Sequence, residues 1–338
     1  MTALRSVLIR GDGIAAACCA HLLRKAGLDV RITAEARPTV PALLVSEPAL
    51  ALMRDVFELP GLLADQPRVR RRVVAWGEAA PASLPHGGIA VAEAGLLDSL
   101  RTADADAVTE AEAADFVIHA AGAPPEGSVQ RRFGARLATS ARVRLLDPAD
   151  IDACWIESAA EGWLFLVPGV DGDAWLLAVG GSCEALLARS RLIGPRVALV
   201  EAGARGFDCS PRLATPSCGD DWLVCGATAT GFDPICGDGT AQAVRTAILA
   251  SAVVTGIAEG GDRTALLKHY DLALTASVRR HLMLCGDFYR TGGDGPWWQG
   301  ALDELHAGHR WCTSRLAHAG DPAYELQGFR LKARDFAT

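Results

Sequence analysis

Lysine is almost absent. Lys25, Lys268 and Lys332 are the only three in 338 residues, and arginine supplies the rest of the 33 positive charges. With so much alanine and glycine, the composition resembles the coding bias of a GC-rich bacterial genome, a statement about codons and not about chemistry. Positive charge is also in deficit: the formal net charge is -7, which argues against a nucleic-acid partner, because such proteins present a basic face. The one basic run (Arg68, Arg70, Arg71, Arg72) reads as a solvated strand edge or turn, or, more sharply, as a docking patch for an acidic partner. Ten cysteines are present, yet none forms a Cys-x-x-Cys pair and no His/Cys cluster has zinc-finger spacing, so no metal is expected. Cys18 and Cys19 are adjacent on a predicted helix, a poor geometry for bonding to each other. No secretory signal pattern precedes the first strand. The longest apolar helix pattern, 241–258, contains Gln242 and Arg245 and is expected to be too short and polar to span a membrane. These absences lead to the expectation of a cytoplasmic protein with reduced, mostly buried thiols.

What is present begins with two glycine-rich segments far apart in the chain. Gly11-Asp12-Gly13-Ile14-Ala15-Ala16 follows the apolar run Val7-Leu8-Ile9. Gly226-Ala227-Thr228-Ala229-Thr230-Gly231-Phe232-Asp233-Pro234-Ile235-Cys236-Gly237-Asp238-Gly239 follows Trp222-Leu223-Val224. Each sits between a short strand and an alanine-rich helix pattern, and together they suit a cofactor long enough to need both, FAD. In the first segment Gly11 permits the tight turn, Gly13 lets the backbone approach a pyrophosphate, and small Ala16 lets helix and strand pack closely. The amides around Ile14 and Ala15 then offer free N–H groups and a favourable dipole to phosphate. The acid that should meet the ribose belongs at the end of the second strand. Ala34 occupies the standard register, so Glu35 either reaches the ribose after a one-residue shift or is a solvated turn residue.

Half the residues are hydrophobic, enough for a sizeable core in one large domain or two. Residues 7–10 read as a buried strand, 14–26 as a helix stopped by Gly27, and 30–33 as a second strand, a βαβ unit of dinucleotide-binding size. Pro38, Pro41 and Pro48 punctuate the next stretch of chain. A helix is expected at 47–57, strands at 73–76 and 89–92, a helix at 96–102 and a buried strand at 115–121. From 132 to 179 the pattern is strand-rich, with Asp171-Gly172-Asp173 as a hairpin turn. Helix returns at 186–192 and dominates the end of the chain. The expected fold class is α/β, with a Rossmann-type FAD-binding domain (1–130 and 195–260), an inserted antiparallel-sheet substrate domain (131–194 with part of 65–95) and a helical C-terminal region (261–338). No second G-x-G-x-x-G pattern marks a separate NAD(P)H domain.

The second glycine segment resembles the C-terminal FAD motif of flavoprotein monooxygenases, GD-x(n)-DP followed by a glycine-rich turn. Phe232-Asp233-Pro234, Gly237-Asp238-Gly239 and Gly226 match it. Ala227 stands where the family has the aspartate that meets the ribityl chain. The resemblance implies a helix from Gly239 and Thr240 that points its N-terminal amides at the flavin ring. Asp115-Phe116-Val117-Ile118-His119-Ala120-Ala121-Gly122 is similar to the family's strand-then-A-x-G segment, which places Gly122 near the adenosine. Gly162-Trp163-Leu164-Phe165-Leu166-Val167-Pro168 resembles the GW-x-W-x-IP segment of the tryptophan halogenase-like flavoproteins, which implies that Trp163, Phe165 and Pro168 line a substrate pocket. Halogenases of that type use a lysine in the N-terminal half, and this chain has none between Arg37 and Gly162. Pro41-Ala42-Leu43-Leu44-Val45-Ser46, Cys154-Trp155-Ile156-Glu157-Ser158, Phe288-Tyr289 and Pro296-Trp297-Trp298 are similar to segments of the monooxygenases of tryptophylquinone cofactor biogenesis. The resemblance implies an FAD-dependent monooxygenase that hydroxylates an electron-rich ring, such as an indole or a partner protein's tryptophan, through a flavin hydroperoxide, with NAD(P)H or an external reductase as electron donor. The alternatives are a flavin oxidase, dehydrogenase or reductase on a small molecule, and a degenerate flavin-binding partner protein. Glu157 and His86 are the candidate catalytic groups; each is otherwise a solvated or surface residue. Trp297 and Trp298 read as core packing ahead of a substrate platform, and His306 and His309 as ordinary helix residues.

Overall fold

The apolar run Val7, Leu8 and Ile9 becomes the buried centre of β1 (Ser6–Arg10), as a strand flanked on both sides requires. The structure, a computed structural model, describes residues 4–37, 40–100, 113–169, 172–202, 206–319 and 322–334. β1 lies between β2 (Asp29–Thr33) and β6 (Phe116–His119), and β15 (Trp222–Val224) extends the sheet beyond β6, all in parallel. The chain thus returns, after a long excursion, to the sheet in which it began. Helix α1 (Ile14–Lys25) joins β1 to β2 and presents small residues to α6 (Gly239–Ala258), close enough for Cys19 Sγ to reach the Ala247 carbonyl at 3.7 Å. At 20 residues α6 is about 30 Å long, so its length alone would let it cross a membrane, which corrects the expectation that it is too short. Its apolar stretch is 67% buried by its neighbours, which accounts for the composition of a core helix.

The larger sheet runs in the order β12 (Val197–Ala202), β8 (Leu137–Leu145), β11 (Asp173–Val179), β10 (Gly162–Pro168), β9 (Ala153–Ala159), β4 (Arg68–Ala75), β5 (Ala82–Val91), β3 (Leu43–Ser46), with β13 (Phe207–Asp208) also on β8. Only the β4–β9 pair is parallel. Side chains alternate between its faces. Trp163, Phe165 and Val167 join the main core beneath the parallel sheet and helices, whereas Leu164 and Leu166 join a second core with Trp155, Leu176 and Leu186. That second core is closed by α4 (Cys183–Leu187) and residues 190–193. The helix expected at 186–192 is therefore earlier and shorter, because 190–193 turn to meet a buried acid. The basic run is no sheet edge: β4 lies between β9 and β5, with Arg71 directed to Asp152 at 2.9 Å and Arg72 to the opposite face. The sheet also takes in β3 and β12, which lie outside the bounds expected for it.

Ser46 caps α2 (Glu47–Phe57), accepting the Ala49 N–H, and Pro48 fits its first turn. Next in the chain is α3 (Glu93–Leu100). A small sheet of β7 (Val129–Arg132), β14 (Arg212–Thr215) and β16 (Thr230–Gly231) lies beside α5 (Gly226–Ala229) and carries the chain into the second glycine segment. The end of the chain is the long pair α7 (Arg263–Gly292) and α8 (Pro296–Ala317), then the hairpin β17 (Tyr324–Gln327) and β18 (Arg330–Ala333). The molecule is thus the mixed α/β type expected, a parallel sheet, antiparallel sheets and a helical C-terminus. Pro38, residues 101–102 of the expected helix and Asp171 of the expected turn lie outside the described residues.

Candidate active site

The two glycine segments touch. Gly226 has a φ of +55°, and a Cβ there would lie 2.7 Å from Ala15 Cβ, at the start of α1. Gly11 has a φ of +124°, and a Cβ there would lie 2.8 Å from Ala121 Cβ, just past β6. No larger residue fits either crossing. The chain ends of β1, β6 and β15 therefore converge at the carboxyl edge of the parallel sheet, where open α/β sheets bind ligands. Gly13 begins α1 without a side-chain cap, which leaves the first-turn amides, including that of Ile14, free to meet an anion. The Arg37 guanidinium lies 3.4–3.5 Å from the Cβ position of Gly13. It is held by Asp12 at 3.0 Å and by both oxygens of buried Glu93 at 2.8 and 2.9 Å. Glu35 reaches to 3.8 Å from the Cβ position of Gly122, the direction a ribose ligand needs. Uncapped amides, a fixed cation and a carboxylate together fit the diphosphate and ribose of the adenosine half of FAD.

At the other end lies a cavity of about 870 Å³ lined by residues of α2, β4, β5, α7 and the second glycine segment, among them Arg72, His86, Asp233, Cys236, Asp238 and His281. Two buried polar atoms here, His86 Nε2 and Arg72 Nε, have no hydrogen-bond partner among the described residues. Burial and then the neighbouring Arg72 charge hold the His86 pKa below the ordinary imidazole value. Helix α6 starts at this cavity with no side-chain cap from Asp238, and a Cβ on Gly239 would meet nothing within 4 Å. The turn of Pro234, Ile235 and Cys236 is capped by Asp233 and leaves through Gly237 at a φ of +61°. Open space bounded by uncapped amides and unpartnered polar atoms fits a ring bearing polar atoms. Another cavity, of about 610 Å³, lies between α7 and the C-terminal hairpin, away from both glycine segments.

Behind the cavity wall a buried network holds the loop in place. Asp233, 1% exposed, accepts from Arg136 Nε at 3.1 Å and from the Tyr289 hydroxyl at 2.8 Å, while Tyr289 accepts from Trp163 Nε1 at 3.2 Å. The Asp233 N–H donates to His281 Nε2 at 2.7 Å. Burial, reinforced by the Asp233 charge, raises the Tyr289 pKa well above the ordinary phenol range, so the hydroxyl stays a donor. Trp163 is thus one link behind Asp233. None of Trp163, Phe165 and Pro168 lines the cavity: Trp163 and Phe165 complete the main core, and Pro168 falls on the other face of β10. Trp297 and Trp298 pack edge to face at 4.9 Å, and Trp298 donates to the Ala159 carbonyl at 3.0 Å, the arrangement of a core cluster.

Glu157 is not in the cavity. It pairs in register with Leu164, so it shares that residue's face, opposite Trp163. Its carboxylate accepts from the Arg191 N–H at 2.7 Å, the Leu192 N–H at 3.1 Å, the Ile193 N–H at 2.9 Å and the Ser190 hydroxyl. The structure uses this acid to clamp a loop, which corrects the catalytic expectation. His86 does line the cavity. Ile14 and Ala16 lie in the first turn of α1, Pro234 in the capped turn, and Thr240 follows Gly239 in α6. Arg37, Glu93, Arg136 and His281 were not singled out from the sequence, and Arg72 was named only within the basic run. Of the first four, Arg37 had a local signal, lying just past the second strand near Glu35.

No protein-family model matches the chain, and no curated protein matches its sequence. Solved structures do. QhpG, a peptidyl tryptophan dihydroxylase essential for tryptophylquinone cofactor biogenesis, has a TM-score of 0.74 at 22% identity, covering 89% of this chain and 79% of its own. The flavin-dependent halogenase CmlS has a TM-score of 0.73 at 19% identity, covering 94% and 72%. A 2,6-dihydroxypyridine-3-hydroxylase from Arthrobacter nicotinovorans has 0.63 at 13%, covering 88% and 95%. The fold is that of the FAD-dependent monooxygenases and halogenases. Within that fold, the two glycine segments of this chain meet where Gly226 packs on Ala15.

Proposed function

We propose that this chain is an FAD-dependent monooxygenase that hydroxylates an electron-rich aromatic ring. The observation that carries the reading is the contact between Gly226 and the start of α1, which sets against the donor-rich nucleotide end the same segment whose later residues, from Phe232 on, line the open cavity. In this reading residues 1–130 and 195–260 bind the cofactor. Gly11, Gly13, Ile14, Ala15, Ala16 and Arg37 surround the diphosphate, and Glu35 and Gly122 meet the ribose. Gly226, Asp233, Pro234, Gly237, Asp238, Gly239 and Thr240 shape the flavin end. FAD, when bound and reduced by NAD(P)H or a reductase, supplies oxygen activation. The chain's own residues place the substrate beside it and exclude water. His86, neutral at neutral pH, holds a lone pair for an indole N–H or phenol O–H, and Arg72 adds a fixed positive charge. The likeness to QhpG favours a tryptophan, free or within a partner protein, as substrate. Ala227 offers no acceptor to a ribityl hydroxyl, so FAD is held less firmly than the family's aspartate allows.

Purified protein, FAD and a chemical or enzymatic reductant are incubated in air with tryptophan, indole and a tryptophan-containing peptide. The reading expects a product heavier by one oxygen, formed only with FAD. Reductant consumption that no aromatic compound stimulates, with no oxygenated product, would contradict it and favour an oxidase or a binding protein.

A further inference from the structure

We propose that Cys236 and Cys285 are a peroxide-reactive thiol pair in the wall of this cavity, a modification site at which hydrogen peroxide closes a disulfide. The two sulfurs lie 3.7 Å apart. They are 49 residues apart in sequence, one on the glycine-rich turn and one on α7. Cys236 lines the cavity, while Cys285 is fully buried behind it. The hydrogen bond from Cys285 outweighs burial and, with the nearby His281, lowers the Cys236 pKa to about 6, which favours the thiolate at this sulfur. Burial and its role as donor raise Cys285 well above the ordinary thiol value. A cavity-facing thiolate beside a protonated, sheltered thiol is the arrangement of an attacking and a resolving cysteine.

Two comparisons within the molecule sharpen this. Cys19 and Cys225 are nearly as close, at 3.9 Å, but both are sealed in the core, and the hydrogen bond to Cys225 and burial raise the Cys19 pKa. That pair has proximity without access. Cys236, His281 and Cys285 also place their ligand atoms within 4.8 Å of one another, a composition suited to a metal. The His281 Nε2 lone pair, however, is committed to the Asp233 N–H, which leaves the two sulfurs as the reactive part.

The chemistry balances with hydrogen peroxide as the oxidant. The Cys236 thiolate attacks one peroxide oxygen; an S–O bond forms, the O–O bond breaks, and hydroxide leaves with a proton as water. Cys285 sulfur then displaces the hydroxyl; an S–S bond forms, the S–O bond breaks, and a second water carries away the Cys285 proton. Two thiols lose two electrons, and one peroxide becomes two waters. In a flavin monooxygenase, oxygen reduced without transfer to substrate leaves as hydrogen peroxide in this cavity, so the physiological source rests on the proposed monooxygenase function. The bond would tie the turn at Cys236 to α7.

The test adds peroxide from outside and therefore does not depend on that function. Full-length protein, treated with a chelator, is exposed to stepwise hydrogen peroxide with and without FAD, then alkylated and mapped by mass spectrometry. The expected result is a Cys236–Cys285 crosslink and the loss of two hydrogens before any other cysteine reacts, with Cys19 and Cys225 still alkylated. In Cys285→Ala a sulfenic-acid probe labels Cys236; in Cys236→Ser the first oxidation slows at least tenfold. Free Cys236 and Cys285 at a peroxide dose that oxidises other cysteines, or a Cys236→Ser variant oxidised at the wild-type rate, would overturn the proposal. The flavin spectrum of the same samples reports separately on cofactor binding.

Discussion

Two of the buried carboxylates, Asp233 and Glu157, lie on opposite sides of the large sheet and are stabilised by different partners. Asp233, on the cavity side, is paired with the Arg136 guanidinium and with the Tyr289 hydroxyl. Glu157, on the other side, meets no cation in its hydrogen bonds, only three backbone amides and a serine hydroxyl. Both arrangements hold a loop, but they hold different kinds. The Glu157 loop closes a core and offers nothing to a ligand. The Asp233 loop continues into the uncapped start of α6 and the open cavity. A buried acid by itself therefore says little about chemistry; what its loop does next decides the matter.

Substitutions can break this comparison. The largest effect is expected from Asp233→Ala, which leaves the Arg136 charge, only 2% exposed, without its buried partner. The variant should lose about 3–5 kcal/mol of stability in urea unfolding. A loss below about 1 kcal/mol would mean that Glu304, 3.4 Å from Arg136, suffices alone. Glu157→Ala removes an acceptor from four donors and should cost about 2–3 kcal/mol, with FAD affinity unchanged. Reduced FAD affinity in a folded Glu157→Ala protein would show that the two sides are coupled. The smallest effect comes from the parallel sheet. Burial, and then Arg10, lower the His119 pKa to about 4, below its unfolded value of about 6.5. Between those values the unfolded chain takes up a proton that the folded chain refuses, so stability falls as pH drops through that window. His119→Gln should flatten the profile by about 1–2 kcal/mol, allowing for solvent at the ring. Identical wild-type and variant slopes between pH 6.5 and 4.5 would contradict the shift.

The strand, turn and helix around Gly11, Gly13 and Ala16 were legible because their logic is local. The helix at Glu47–Phe57 was legible for the same reason, with a cap and a proline marking its start. The close approach of Ala121 to Gly11 was not, since it comes from a distant strand end. The second glycine segment was visible only as a motif. Its partners, Arg136, His281, Tyr289 and Arg72, arrive from three other parts of the chain, the turn before β8, helix α7 and strand β4, and no spacing along the chain brings them together. Glu157 was misplaced by parity: which face it occupies depends on its pairing with Leu164, a register set between strands. Arg68, Arg70, Arg71 and Arg72 likewise read as an exposed run, although an interior strand sends its arginines to both faces.

The most direct test of a single site joining both glycine segments is an equilibrium FAD titration, read by flavin absorbance, of wild type, Gly13→Ala and Gly239→Val. Gly239 has open space around its Cβ position and Gly13 has only the Arg37 side chain, so both variants should fold. The account predicts one saturable site in wild type and at least tenfold weaker binding, about 1.4 kcal/mol, in each variant. Absence of saturable FAD binding in wild type, or affinity untouched by Gly239→Val, would contradict it.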